Sequence, residues 1–261
     1  MVGLDCRCPS RDDWVADRQR AAGPTVLDGE PISAMNLLEF ARGPALAFAL
    51  AVFVVGTAWR LIALLRVPRL PDLSPAREGA ASKIGSALRM NLHAMWPRRA
   101  FGLSARWIAV NGYAMHIGLA LVVFGYAPHI AFVRRLTGLS WPALPDAVFA
   151  VAAGVTTVSL LFALAMRLTD PVRRLISTAD DRITWTVTFL PVLTGMAVAG
   201  EPSAAILARD HAVYAGPLAV HLLSLELLLI WFPFGKLMHA FLFAFSRGAT
   251  GVRFGHRGVD L

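Results

Sequence analysis

Cysteine is almost missing from this chain. Its 261 residues hold two, Cys6 and Cys8, both in a polar N-terminal stretch. Two are too few for a disulfide framework. With none in the apolar body, an iron–sulfur cluster held by this chain is not expected, and any such cluster belongs to a partner. Charge is scarce as well: Asp, Glu, Lys and Arg make up 16% of the residues, against 56% hydrophobic ones, and the mean hydropathy is +0.58. That balance excludes the ordinary soluble class. The net charge of +8 comes with no nucleic-acid reader motif, so no nucleic-acid partner is expected. Internal repeats, low-complexity segments and a signal-peptide-like apolar stretch are also lacking.

What the chain does have is five apolar runs, at about residues 44–65, 107–127, 147–166, 183–200 and 216–243, each near the ~20 residues that cross a bilayer. The expected fold is all-α, an integral membrane bundle of five transmembrane helices. The expected organisation is a polar leader over 1–40, a five-helix membrane domain over 41–245 and a cytoplasmic tail over 246–261. The leader reads as disordered or as a misassigned start, with Met35 the more natural beginning. Basic residues set the orientation. Fifteen lie in the first loop, the third loop and the tail, against Arg134, Arg135 and Arg209 on the other side. The excess marks the cytoplasmic face, which puts the N-terminus outside and the C-terminus in the cytoplasm. Within the first loop, Ile84, Leu88, Leu92 and Met95 recur at helical spacing. They describe an amphipathic helix on the inner surface, either a lipid-lying connector or a docking ledge for a cytoplasmic subunit.

Four of the seven histidines fall in or beside the apolar runs. His221 and His239 are 18 residues apart in the fifth. On a continuous helix that is five turns, so both would leave one face about 27 Å apart, close to the roughly 30 Å bilayer core. His116 and His129 belong to the second run, which is antiparallel to the fifth. Two cross-helix pairs follow, His116 with His239 nearer the cytoplasm and His129 with His221 nearer the outside. Facing imidazoles suit the two axial positions of a haem iron. A bare zinc or copper site would need ligands that converge, which five turns of separation forbids. His129 stands about 140° from the His116 direction on an ideal helix, so its part requires a kink or break at Pro128.

A glycine lies four residues before His116, His129 and His239: Gly112, Gly125 and Gly235. A helical side chain covers the turn that precedes it. These glycines therefore read either as clearance for a porphyrin or as small residues for helix packing. For each histidine the alternative is a buried ring bonded to a carbonyl. His93, His211 and His256 read as solvated loop residues, and Trp141, Trp185 and Trp231 as interfacial or packing residues.

The run Phe232-Pro233-Phe234-Gly235-Lys236-Leu237-Met238-His239, with His221 eighteen residues before His239, resembles the fifth helix of the respiratory nitrate reductase gamma subunit. His116-Ile117-Gly118 followed by Phe124-Gly125 resembles that family's second helix. The likeness extends over residues 35–245. Related cytochromes b of sulfur-metabolising and hydrogenase-linked complexes, which pair with heterodisulfide-reductase-like subunits, share the plan. Where the family carries its second histidine in span two, this chain has Tyr126, and His129 follows three residues later.

The resemblance implies a membrane cytochrome b with two haem b groups, in a bacterial or archaeal cytoplasmic membrane. It would carry electrons between quinone and a cytoplasmic iron–sulfur or heterodisulfide-reductase-like subunit docked on the basic inner loops, within a hetero-oligomeric complex. The inner iron would take His116 and His239, the outer iron His129 and His221. Quinone would sit beside the outer haem, where Tyr126 and Asp146 are either quinone or proton contacts or wetted helix-end residues. Quinol oxidation there would release protons outward while electrons move inward. Lys236, Arg98, Arg99 and Arg106 would meet haem propionates or mark the interface. Glu226 is a proton relay or pairs with another helix or subunit. Two rival expectations remain: a haem-free membrane anchor that recruits a soluble enzyme, and a small proton-coupled transporter.

Overall fold

The computed structural model describes residues 36–68, 72–79, 82–95, 102–199 and 215–259, with the side chains of 102–105 left out. All regular structure among them is helical. In chain order the helices are α1 (Asn36–Arg66), α2 (Lys83–His93), α3 (Gly102–Gly125), α4 (Ala127–Thr137), α5 (Asp146–Thr169), α6 (Pro171–Ile176), α7 (Ala179–Ala199), α8 (Ala215–Trp231) and α9 (His239–Arg257). Helix α1, Arg106–Gly125 within α3, α5 and α7 are each long and apolar enough to cross a membrane. Helices α8 and α9 form a bent pair that counts as a fifth span if taken together.

The distribution of residues is inverted relative to a soluble helix. On α5, Ala152, Ala153, Thr156 and Ser159 are buried, while Val151, Val155, Val158 and Phe162 form an exposed stripe. Small residues let backbones approach, which is how helices pack when lipid competes equally well for large apolar side chains. Gly118 of α3 lies against Thr156 of α5 so closely that a Cβ there would strike the threonine hydroxyl. Nearby, Asn111 Nδ2 donates to the Ser159 carbonyl at 3.1 Å. Helix α7 joins α5 through Trp185 Nε1 donating to the Leu160 carbonyl at 2.9 Å, and joins α8 through Trp231 Nε1 donating to Thr184 Oγ1 at 3.1 Å. Helix α8 also packs on α1.

Three features differ from the sequence expectation. First, the fifth span is not continuous: α8 ends at Trp231 and α9 leaves at 76°. Pro233 offers no N–H and cannot continue the helix. Its ring is fully buried, packed so tightly on Gly56 of α1 that a Cβ there would lie 2.7 Å from Pro233 Cγ. Phe232 stacks edge-on against Phe53 of α1, with centroids 5.1 Å apart. The 17 residues of α8 rise about 25 Å, nearly a full crossing.

Second, what reads as a tail over 246–261 is mostly helix, because α9 continues to Arg257. It packs along α2, and Gly251 is the point of closest approach: a Cβ there would lie 2.5 Å from the Met90 Cβ and from the Ser86 carbonyl oxygen. Asn91 Nδ2 donates to the Ala244 carbonyl at 3.1 Å. His256 is therefore not a loop residue; its Nε2 bonds the Ser74 carbonyl at 2.8 Å, and Arg257 pairs with Asp72. The predicted apolar stripe of α2 (Ile84, Leu88, Leu92) is exposed, on the side away from α9. Third, Asn36–Phe40, assigned by sequence to the leader, begin α1. The rest of that leader, and residues 200–214 with His211, lie outside the described residues.

Candidate functional site

Helix α3 stops at Gly125 because Tyr126 adopts an extended conformation, φ −82° and ψ 128°, and Pro128 enters the first turn of α4. A stopped helix leaves its last carbonyls without intrahelical partners. Here three side or main chains take them. His129 Nδ1 donates to the Val122 carbonyl at 3.0 Å, Trp141 Nε1 to Phe124, and the Leu144 N–H to Gly125 at 2.8 Å. The break thus fixes the His129 ring and turns it away from the direction that a continuous helix would impose.

On the facing element, His221 projects from α8 toward α7. Its Nδ1 lies 3.2 Å from Thr194 Oγ1, whose own proton goes to the Leu190 carbonyl at 2.7 Å. With that proton on the Leu190 carbonyl, the threonine oxygen accepts from the histidine nitrogen; Ser224 Oγ, 3.0 Å away, shares the same hydroxyl. Gly195 makes room for this ring, since a Cβ there would lie 2.9 Å from His221 Cε1. The His129 and His221 rings stand 6.3 Å apart, centroid to centroid, with planes 18° apart.

The other pair sits at the opposite end. His116 Nδ1 bonds the Gly112 carbonyl at 2.7 Å, and His239, first residue of α9, bonds the Lys236 carbonyl through Nδ1 at 2.8 Å. Their centroids are 6.0 Å apart, with planes at 86°. A three-element clamp holds the turn that carries His239. The buried Asp181 carboxylate of α7 accepts from Lys236 Nζ and from the Arg167 guanidinium of α5, each at 2.6 Å, and from the Thr178 backbone N–H at 2.9 Å.

Three of the four rings share one chemistry. Nδ1 of His116, His129 and His239 faces a carbonyl oxygen, which can only accept, so those rings are Nδ1–H tautomers with the Nε2 lone pair left over; His221 Nδ1 faces a hydroxyl. This outer-partner arrangement is the one that orients metal-bound imidazoles. Metal–imidazole nitrogen bonds run about 2.0–2.1 Å and a ring nitrogen lies roughly 1.1 Å from its centroid, so two imidazoles on one axis have centroids about 6.3 Å apart. Both observed centroid separations, 6.0 and 6.3 Å, match that spacing. Among the described residues no group of three or more His, Cys, Asp or Glu could hold a bare ion.

The three candidate glycines divide. Gly112 faces open space, beside a cleft of about 310 Å³ that is lined by Asn111, Met115, Met166, Arg167, Arg173 and Lys236 among others. The cleft's lining includes Met115, next in the chain to His116, and its three cations are paired: Arg167 and Lys236 with Asp181, Arg173 with Asp170. Over Gly125 and Gly235 the space is already filled, by the Leu144 side chain and the Trp231 indole. Those two glycines are close-approach points for protein side chains, because neither lies one helical turn before its histidine once the helices break. Gly195, four turns into α7 with no histidine near it in sequence, makes room for an imidazole, a role the spacing argument did not consider.

Tyr126 lies over Phe149 at 4.2 Å and against His129 at 5.3 Å, so it packs beside the outer pair. Asp146 is the exposed first residue of α5. Neither lines the 310 Å³ cleft nor a second one of about 460 Å³. Lys236 is engaged by Asp181, while Arg98 and Arg99 lie outside the described residues.

No family model matches the chain. A protein of Nitratidesulfovibrio vulgaris, described only as "Protein", is 30% identical over 225 residues, which covers 82% of this chain and 91% of that one.

Proposed function

This chain belongs to the same family as that Nitratidesulfovibrio vulgaris protein, and we propose that it is a membrane cytochrome b that carries electrons between the quinone pool and a cytoplasmic iron–sulfur or heterodisulfide-reductase-like subunit. The observation that carries this reading is the pair of two-histidine stations, with rings 6.0 and 6.3 Å apart and every Nδ1 already engaged. His116 and His239 would hold the inner haem b, His129 and His221 the outer one. Bound there, haem b supplies reversible one-electron chemistry at iron.

The chain's own residues hold and orient. The carbonyls of Gly112, Val122 and Lys236 fix three imidazole tautomers and raise their basicity toward a metal, and the Thr194 hydroxyl orients the fourth ring. The open space at Gly112 suits a flat macrocycle, and Arg173, which lines the adjoining cleft and pairs with Asp170, would have to leave that carboxylate to meet the macrocycle's own. Basic loops orient the N-terminus outward and the C-terminus to the cytoplasm of a bacterial or archaeal cell. Helices α2 and α9 then form an inner ledge rich in Lys and Arg on which the cytoplasmic subunit of a hetero-oligomeric complex docks. Quinone exchange is expected near the outer pair.

Full-length protein, expressed with ample haem and purified in mild detergent, should show b-type bands on dithionite reduction and two haems per chain. His239→Ala should leave folded protein with one. A folded, colourless wild-type preparation would overturn the proposal in favour of a haem-free anchor.

A further inference from the structure

Glu226 is the side chain that the histidine stations leave unexplained. It lies on α8, 4% exposed, and among the described residues its buried Oε1 has no hydrogen-bond partner. An unsatisfied buried oxygen costs about 1–3 kcal/mol, so a partner is missing. The carboxyl lines the cleft of about 460 Å³ between α8 and the first turns of α1. Phe40, Pro44, Phe48, Leu223, Leu227 and Ile230 form its walls, and none brings a side-chain donor. Pro44 and Ala45 of the lining belong to a π turn of α1 over Ala41–Ala45, a backbone defect that recurs at functional sites. Phe40 and Phe48 are 51% and 61% exposed, so the cleft opens sideways, on the side that faces lipid in a bilayer.

We propose that this cleft binds a hydroquinone head, with a ring hydroxyl donating to Glu226 and the aromatic ring set between Phe40 and Phe48. The shape suits it: small-ligand sites run about 300–1,000 Å³, mostly apolar with few polar groups. A ligand that arrives through lipid needs the lateral opening, and one that must satisfy a lone acceptor needs a donor. A phospholipid tail satisfies the walls but not the carboxyl. Glu226 lies five residues beyond His221, about 7.5 Å along the helix and on another face. The occupant therefore sits beside the outer station rather than within it. This assignment rests on the cytochrome reading and moves its quinone contact away from Tyr126 and Asp146.

The test is a fluorescence titration of the full-length protein in nanodiscs with heptyl-hydroxyquinoline N-oxide, an aromatic quinol analogue. Glu226→Leu removes the unsatisfied oxygen and should leave folding intact while weakening binding roughly tenfold or more. Ala45→Trp fills the cleft and should abolish binding, and both variants should keep the wild-type haem spectrum. No binding by the wild type, or unchanged affinity in both variants, overturns the proposal. Loss of binding in Tyr126→Phe with both cleft variants neutral overturns it in favour of a site at Tyr126. Displacement of a bound phospholipid by Ala45→Trp without effect on the analogue also overturns it. A colourless wild type that still binds the analogue through Glu226 would retain the cleft assignment and remove only the electron-transfer reading.

Discussion

Gly195 offers the sharpest test of the outer station. A Cβ at this position would lie 2.9 Å from His221 Cε1 and 3.3 Å from its Nδ1, whereas carbon atoms in contact settle at about 3.5–4.0 Å. Gly195→Val must therefore push the imidazole back by roughly 0.6–1 Å. The Nδ1–Thr194 hydrogen bond, already 3.2 Å long, does not survive that shift. Crowding of this kind costs about 1–3 kcal/mol, and the lost bond adds about 0.5–1.5 kcal/mol. Together they come to about 1.5–4.5 kcal/mol, or a roughly 10- to 2,000-fold weaker hold on whatever His221 ligates. His116 and His239 stand on other helices and should be untouched. Haem quantitation and a redox titration read the outcome: about one haem per chain in Gly195→Val, with the inner potential unchanged. Gly154→Ala, whose Cβ would meet nothing within 4 Å, should behave as wild type. Two haems with unaltered potentials in Gly195→Val would refute the argument that His221 is a ligand positioned by α7.

Gly112→Phe, placed in open space, should spare folding yet displace the inner haem alone, as read by the same titration. Asp181→Asn should weaken the clamp on the turn that carries His239. Because Lys236 and Arg167 are 53% and 38% exposed, water screens much of the pairing. The stability loss should stay near ~1 kcal/mol while the inner potential shifts and the outer one does not. Gly251→Leu should drive α9 from α2, costing about 1–3 kcal/mol of local stability; hydrogen exchange should rise over 82–95 and stay unchanged over 146–199. Finally, the hydrogen bond from Arg257, with those from Ser74, holds the Asp72 carboxyl well below its ordinary value of 3.8. A depressed folded value stabilises above the unfolded one and is lost only as pH falls below about 4. A spin label at Val259→Cys, with Cys6 and Cys8 replaced by Ser, should keep its mobility from pH 8 to pH 5. Release within that window would count against the clasp.

Much of the architecture is written locally. The length and apolarity of α1, α3, α5 and α7 follow from composition, and Pro128 and Pro233 announce breaks because they lack an N–H. The joining of His116 to His239, and of His129 to His221, follows from antiparallel order. The reason offered by spacing does not survive, however. Eighteen residues make five turns only on an unbroken helix, and α8 bends by 76° before His239. The glycine pattern misleads for the same cause: with the helix broken, Gly125 and Gly235 no longer lie under their histidines, and Leu144 and Trp231 occupy the space. Gly195 and Thr194 carry no local signal at all, because what they serve is a ring on another helix.

Periodicity therefore determined which residues share a helix, which helices suit a bilayer, and which histidines belong to the same end of the bundle. Tertiary structure decided the angles and the supports. The bend after α8 takes its direction from Pro233 seated on Gly56, a contact between residues far apart in the chain. The free nitrogen of each histidine depends on an oxygen supplied where a helix stops or a neighbouring helix passes. Helical spacing governs direction within one cylinder; only packing relates one cylinder to the next.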